Sequence, residues 1–99
     1  MAEVRKQPAE KFYIDVDFSA NLDTGELLDS TQSTVKATLN GADSTSTVIE
    51  SGSLIANSGK LFIRVQNGAD GETHKLTFKA VTDQGNVLEQ DVDLIIEEL

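Results

Sequence analysis

Residues 73–96, THKLTFKAVTDQGNVLEQDVDLII, decide the fold class. Leu76, Phe78 and Ala80 alternate with Thr77 and Lys79, a period of two that sets one face of a strand against a core and the other in solvent. Asp83-Gln84-Gly85-Asn86 is a run of turn formers and reads as the tip of a hairpin. Beyond it, Leu88, Val92, Leu94 and Ile96 line one face of a second long strand, with Asp91 and Asp93 on the opposite face. No window of the chain carries the 3.6-residue period of a helix of useful length.

The same pattern extends towards the N-terminus. Lys60–Gln66 reads as a strand with Leu61, Ile63 and Val65 inward and Phe62 and Arg64 on the other face, followed by a glycine-bearing loop over Asn67–Gly71. Asn57-Ser58-Gly59 and Ser51-Gly52 are turns that flank a short strand over Ser53–Ala56, and Thr45–Glu50 predicts a weak strand centred on Val48 and Ile49. Asn40-Gly41 is a strong hairpin signal. It closes Asp29–Leu39, where Val35, Ala37 and Leu39 alternate among β-branched threonines. In Lys11–Phe18, Phe12, Ile14, Val16 and Phe18 alternate with Tyr13, Asp15 and Asp17. Leu22, Leu27 and Leu28 are expected to fold under the loop that follows as an apolar plug, and the Ser/Thr-rich stretch Ser30–Ser53 to hold a poorly ordered middle strand. The sum is about seven short antiparallel strands with a turn signal roughly every 8–12 residues, the pattern of an all-β sandwich. Residues 1–10, with the only proline, Pro8, read as a flexible polar arm that orders against a neighbour, and residues 11–99 as the folded domain.

A chain of 99 residues that is 38% apolar supports one domain. With 8 basic and 17 acidic residues the net charge is −9, which argues against nucleic acid and anionic membrane surfaces as partners. No apolar run reaches the ~20 residues of a membrane-spanning helix. The polar start has no apolar segment of the secretory kind. The absence of cysteine excludes disulfides, thiolate nucleophiles and cysteine zinc sites, and suits assembly in a reducing cytoplasm.

His74 is the only histidine and cannot fill a zinc shell alone. Triad chemistry would need a Ser or Cys beside it and an acid to orient it, and no serine lies in a Gly-x-Ser-x-Gly elbow. No enzyme and no cofactor are therefore expected. Asp15/Asp17 and Asp91/Asp93 each share one strand face. Were those two strands neighbours, four carboxylates could gather around Ca²⁺, although the favoured reading is two solvated faces. Tyr13, Phe62, Val81 and Ile95 fall on faces opposite the core set and form the candidate docking patch.

Gly71-Glu72-Thr73-His74-Lys75-Leu76-Thr77-Phe78 resembles the start of the sixth strand in fibronectin type III-like and immunoglobulin-like domains. There a tyrosine hydroxyl ties the corner loop to the backbone. His74 stands at the tyrosine position, so the resemblance implies a structural corner built from Gly71 and His74. The antibody Cys…Trp…Cys set is absent, so the likeness is to the sandwich architecture. A narrower resemblance rests on Asp17-Phe18-Ser19-Ala20-Asn21-Leu22, on Gly68-Ala69-Asp70-Gly71-Glu72-Thr73-His74, and on Thr82–Asn86 with Asp91–Ile96. These resemble small immunoglobulin-like proteins of tailed bacteriophages and prophages, some of them fibre–tail adaptors, with Phe18 where many members have tryptophan. The resemblance implies a non-enzymatic structural or adaptor protein of the virion, assembled in the bacterial cytoplasm. It would dock onto tail, connector or fibre proteins through an edge strand or the arm. The second expectation is a carbohydrate- or ligand-binding sandwich, calcium-assisted, for which one tyrosine, four phenylalanines and no tryptophan make an aromatic platform scarce. The oligomeric state stays open.

Overall fold

The computed structural model describes residues 2–99; Met1, the first residue of the expected arm, lies outside the described residues. The strands are β1 (Ala2–Lys6), β2 (Phe12–Asp17), β3 (Thr34–Leu39), β4 (Ala42–Asp43), β5 (Ile55–Asn57), β6 (Lys60–Val65), β7 (Thr73–Val81) and β8 (Val87–Ile96). A single helical turn, α1 (Thr45–Val48), and a 3-10 turn at Ser19–Asn21 complete the elements among the described residues. The strands form a five-stranded sheet, β1-β8-β7-β3-β4, and a three-stranded sheet, β2-β6-β5. The all-β expectation holds. The strand inventory differs from it: among the described residues there are eight strands rather than about seven, and β1 runs parallel to β8 while the other pairs are antiparallel.

Both sheets turn their alternating apolar residues onto one core. Val16, Leu61, Ile63 and Val65 come from the smaller sheet; Ala37, Leu76, Phe78, Ala80, Val92, Leu94 and Ile96 come from the larger. The longest ladder, β7 with β8, runs in unbroken register from Thr73↔Ile95 to Val81↔Val87. The Asn40-Gly41 turn has φ of 51° and 84° at its two residues, the double left-handed geometry of a type I′ hairpin, and closes the pair Leu39↔Ala42.

Part of the expected arm is a strand. Ala2–Lys6 lies beside β8, with Val4 packed against the core and Lys6 pointing inward. Lys6 is 2% exposed, and its Nζ donates to the carbonyls of Gln7 (2.7 Å), Pro8 (3.0 Å) and Asn67 (2.6 Å). An ammonium has three donors and all three are met, which is what makes its burial tolerable. Burial lowers the Lys6 pKa, and nearby Glu10 opposes that shift. With Val4 as its only large apolar residue, β1 has no readable periodicity.

Two further expectations give way to local chemistry. The weak strand over Thr45–Glu50 is α1 followed by a bridge from Ile49 to Val65. The Asp43 carboxylate accepts the backbone N–H (3.1 Å) and hydroxyl (2.6 Å) of Thr45, and this side-chain turn overrides β-propensity. The leucine plug is also incomplete: Leu22 and Leu28 are half-buried, but Leu27 is 63% exposed. Leu28 bridges Thr82 and packs on the core, so alternation sends Leu27 outward and Glu26 inward.

Gly59 has φ +78°, and a Cβ there would fall 2.9 Å from Ser19 Cβ and 3.1 Å from Ser19 Cα. Gly71 has φ +89° but open space around it. Gly71→Ala should therefore cost about 1 kcal/mol through backbone strain alone. Gly59→Ala should cost about 2–3 kcal/mol because the backbone of Ser19 must also move. Urea unfolding of the two variants, with unchanged m-values, checks the order.

Candidate functional site

Register decides which of the four candidate docking residues meet. In the three-stranded sheet Tyr13 lies opposite Arg64, and Asp15, Phe62 and Ile55 form the next row. Tyr13 and Phe62 are therefore diagonal neighbours on the outer face, within reach of one another. Ile55, 46% exposed, extends the patch to the sheet edge. Tyr13, Ile55, Asn57 and Phe62 line a shallow depression of about 360 Å³. The Arg64 guanidinium stands 5.6 Å from the Tyr13 ring centroid, a cation–π distance. Glu50 fixes this flank by pairing with Lys11 at 2.8 Å and Arg64 at 3.7 Å.

Val81 and Ile95 belong to the other sheet and to opposite ends of the β7–β8 ladder, so the structure does not bring them into the patch or to each other. The outer face between them is polar: Lys75 faces Asp93, Thr77 faces Asp91 and Lys79 faces Glu89, with Thr77 Oγ1 donating to Asp91 at 2.9 Å. Ile55 was missing from the sequence-based set. Its short strand was legible, but three residues do not reveal which face is outside.

The condition for a four-carboxylate calcium site is not met. Asp15 and Asp17 lie on β2, whereas Asp91 and Asp93 lie on β8 in the other sheet. Asp17 accepts the Ser19 N–H at 2.8 Å, and Asp91 is engaged by Thr77. Among the described residues no three His, Cys, Asp or Glu side chains are grouped to hold a metal ion.

His74 points inward in phase with Leu76 and is 1% exposed. Its Nε2 lies 2.9 Å from Glu72 Oε1, and its Nδ1 lies 2.8 Å from Ser44 Oγ. Donation from Nε2–H to the carboxylate, with Nδ1 accepting the serine hydroxyl, satisfies every group. Glu72 Oε1 also accepts the Ala69 N–H, and this bond first, then His74, holds the Glu72 carboxyl below its ordinary range. Serine, imidazole and carboxylate thus stand in a line at triad distances. Ser44 and His74 are buried, though, with only Glu72 partly exposed, and Ser44 borders neither of the two hollows beside β3. The tether runs from β7 to the turn before α1, not to the backbone of its own corner; Gly71 instead donates its N–H to Ile96 O.

A second buried network lay outside sequence reasoning. Glu26 is 4% exposed, and its carboxylate accepts the Thr82 hydroxyl, Asn86 Nδ2 (2.8 Å) and the Asp23 N–H (2.9 Å). In the sequence it is one loop carboxylate among many, with no signal that marks it for burial. These bonds, the Thr82 hydroxyl foremost, hold its pKa below the ordinary value.

A depressed folded-state pKa gives stability that is present above the unfolded pKa and lost as pH falls through the folded one. Glu26→Gln should therefore melt below the parent near neutral pH, and the gap should narrow as the solution is acidified. Thermal melts across that range check it. His74→Ala removes a buried ring and leaves the buried Ser44 hydroxyl without its partner, while Glu72 keeps the Ala69 N–H. It should cost about 2–4 kcal/mol, measured by chemical unfolding.

No curated protein matches the chain. Residues 6–95 match the family described as Podophage GP4 fiber-tail adaptor protein gp77. Because that match spans nearly the whole length, the chain belongs to the podophage GP4 fiber-tail adaptor protein gp77 family.

Proposed function

We propose that this protein is a non-enzymatic structural adaptor of a tailed-phage particle, and that it docks a tail, connector or fibre protein through the outer face of its three-stranded sheet. The observation that carries the reading is the Tyr13–Phe62–Ile55 patch, exposed apolar surface that runs to a free sheet edge. Strand β5 is only three residues long, and β6 occupies one side of it. A partner strand added on the other side would prolong the row Asp15–Phe62–Ile55 and cover the aromatic pair. Tyr and Phe carry large contact area at low entropic cost, which suits them to anchor such an interface.

The strand order supports an immunoglobulin-like assignment. A β8-β7-β3-β4 sheet faces a β2-β6-β5 sheet, and β1 lies beside the last strand, which corresponds to the G-F-C-C′ and B-E-D arrangement of that fold. The non-enzymatic reading draws on the Ser44–His74–Glu72 line, which is spent on tethering β7 to the start of α1 and offers its hydroxyl to no cleft beside β3. Lack of cysteine suits assembly in the bacterial cytoplasm before incorporation into the virion.

The test uses phage particles assembled without this protein, to which purified protein is added back. Tyr13→Asp and Ile55→Asp should each reduce retention on the particle at least tenfold. Both sites are about half exposed, so unfolding stability should fall by only about 1–2 kcal/mol, and a melt beside the binding assay separates that from lost docking. Retention of both variants at the parent level would remove this face from the function.

A further inference from the structure

An adaptor must hold two partners, and the patch just described serves one. This inference therefore rests on the adaptor reading. A second apolar feature lies at the end of the sandwich built from the β2–β3 loop, the β5–β6 turn and the β7–β8 tip. These segments meet there: Phe18 N–H donates to Gly59 O, Leu28 bridges Thr82, and Asp83 N–H donates to Leu27 O at 2.9 Å.

Leu27 stands at this end, 63% exposed. Its carbonyl accepts from the Asp83 backbone and its N–H donates to Asp83 Oδ1 at 3.1 Å, so the residue is clamped on both sides with its side chain in solvent. Beside it, Leu27, Leu28, Ala56 and the Asn57–Gly59 turn border a hollow of about 200 Å³. An apolar knob next to a hollow, held before any partner arrives, is the form of an interface anchor whose ordering cost is already met.

Charge names the partner. The segments that form this end, residues 17–33, 57–60 and 82–86, carry Asp17, Asp23, Asp29 and Asp83 at or near the surface, with Glu26 buried beneath them, against the single cation Lys60. The outer face of the five-stranded sheet is instead balanced, with acids of β8 facing lysines of β7. Two such acidic ends repel one another, which disfavours a second copy of this chain, and anionic lipid or nucleic acid is disfavoured for the same reason.

We propose that this end is a second docking surface, which takes a protein surface presenting an apolar socket ringed by lysine and arginine, with Leu27 as the inserted side chain. The Tyr13 face and the Leu27 end then hold different partners, and the rigid sandwich between them sets their spacing.

The probes are the two components the family joins, both from the phage that encodes this chain: purified tails assembled without it, and the purified fibre protein. Affinity of the full-length protein is measured for each, at low and high salt. Leu27→Ser and Asp23→Lys should weaken binding to one component at least tenfold and leave the other unchanged. Tyr13→Asp should show the opposite selectivity. Binding at the Leu27 end should weaken with salt in the parent, because a charged rim is screened. Melting temperature of Leu27→Ser should match the parent, since that side chain adds nothing to the core. Parent-like binding of both components by Leu27→Ser and Asp23→Lys, or loss of both components together, overturns the proposal while the adaptor reading stands. Self-association of the parent that Leu27→Ser abolishes would also overturn it, assigning the surface to a second copy. If the parent binds neither component, the adaptor reading itself falls.

Discussion

Everything in this fold depends on one shared apolar layer between two unequal sheets, with no disulfide to assist it. Because side chains alternate strictly along a strand, each strand has one register that serves this layer, and a one-residue slip would turn its core set into solvent. That constraint fixes Val16, Leu61, Ile63 and Val65 inward from one side and Leu76, Phe78, Leu94 and Ile96 inward from the other. It also determines what is left over. Tyr13, Ile55 and Phe62 are out of phase with the layer, so their apolar surface is not needed for the core and is free to serve contacts.

Where the layer ends, buried ionisable groups hold the loops. Lys6 closes one end on three carbonyls, His74 joins β7 to the turn before α1, and Glu26 draws the β2–β3 loop onto the β7–β8 tip. Each group would be costly to bury alone. Each is instead met by local partners together with at least one from a distant part of the chain: Asn67 for Lys6, Ser44 for His74, Thr82 and Asn86 for Glu26. Among the described residues no buried side-chain polar atom lacks a hydrogen-bond partner. The loops are thus held by polar networks, while the strands are held by the apolar layer.

This division explains what could be read from sequence. Strands β6, β7 and β8 were legible because apolar alternation reports burial directly, and the Asn40-Gly41 turn was legible because its backbone needs two left-handed residues. The Tyr13–Phe62 half of the candidate site followed from the same alternation. What failed was information that alternation does not carry. Val4 alone gave β1 no period, and its parallel place beside β8 depends on pairing between the chain's two ends. The separation of Val81 and Ile95 from Tyr13 depends on which strands share a sheet, and the same fact parted Asp15 and Asp17 from Asp91 and Asp93. Lys6 and Glu26 look like ordinary surface charges until their distant partners are known.

The charge distribution bears on which neighbours such apolar contact surface would favour. A net charge of −9 on 99 residues opposes the approach of like chains. The Tyr13–Phe62–Ile55 patch is a handful of side chains, whereas stable interfaces need on the order of 800 Å² per partner. On the adaptor reading, the rest of the area, a strand edge or the opposite charge would come from the partner. Acidity and modest apolar patches are then parts of one arrangement: charge repulsion disfavours a like surface, and a complementary neighbour would supply the missing area and the opposite charge.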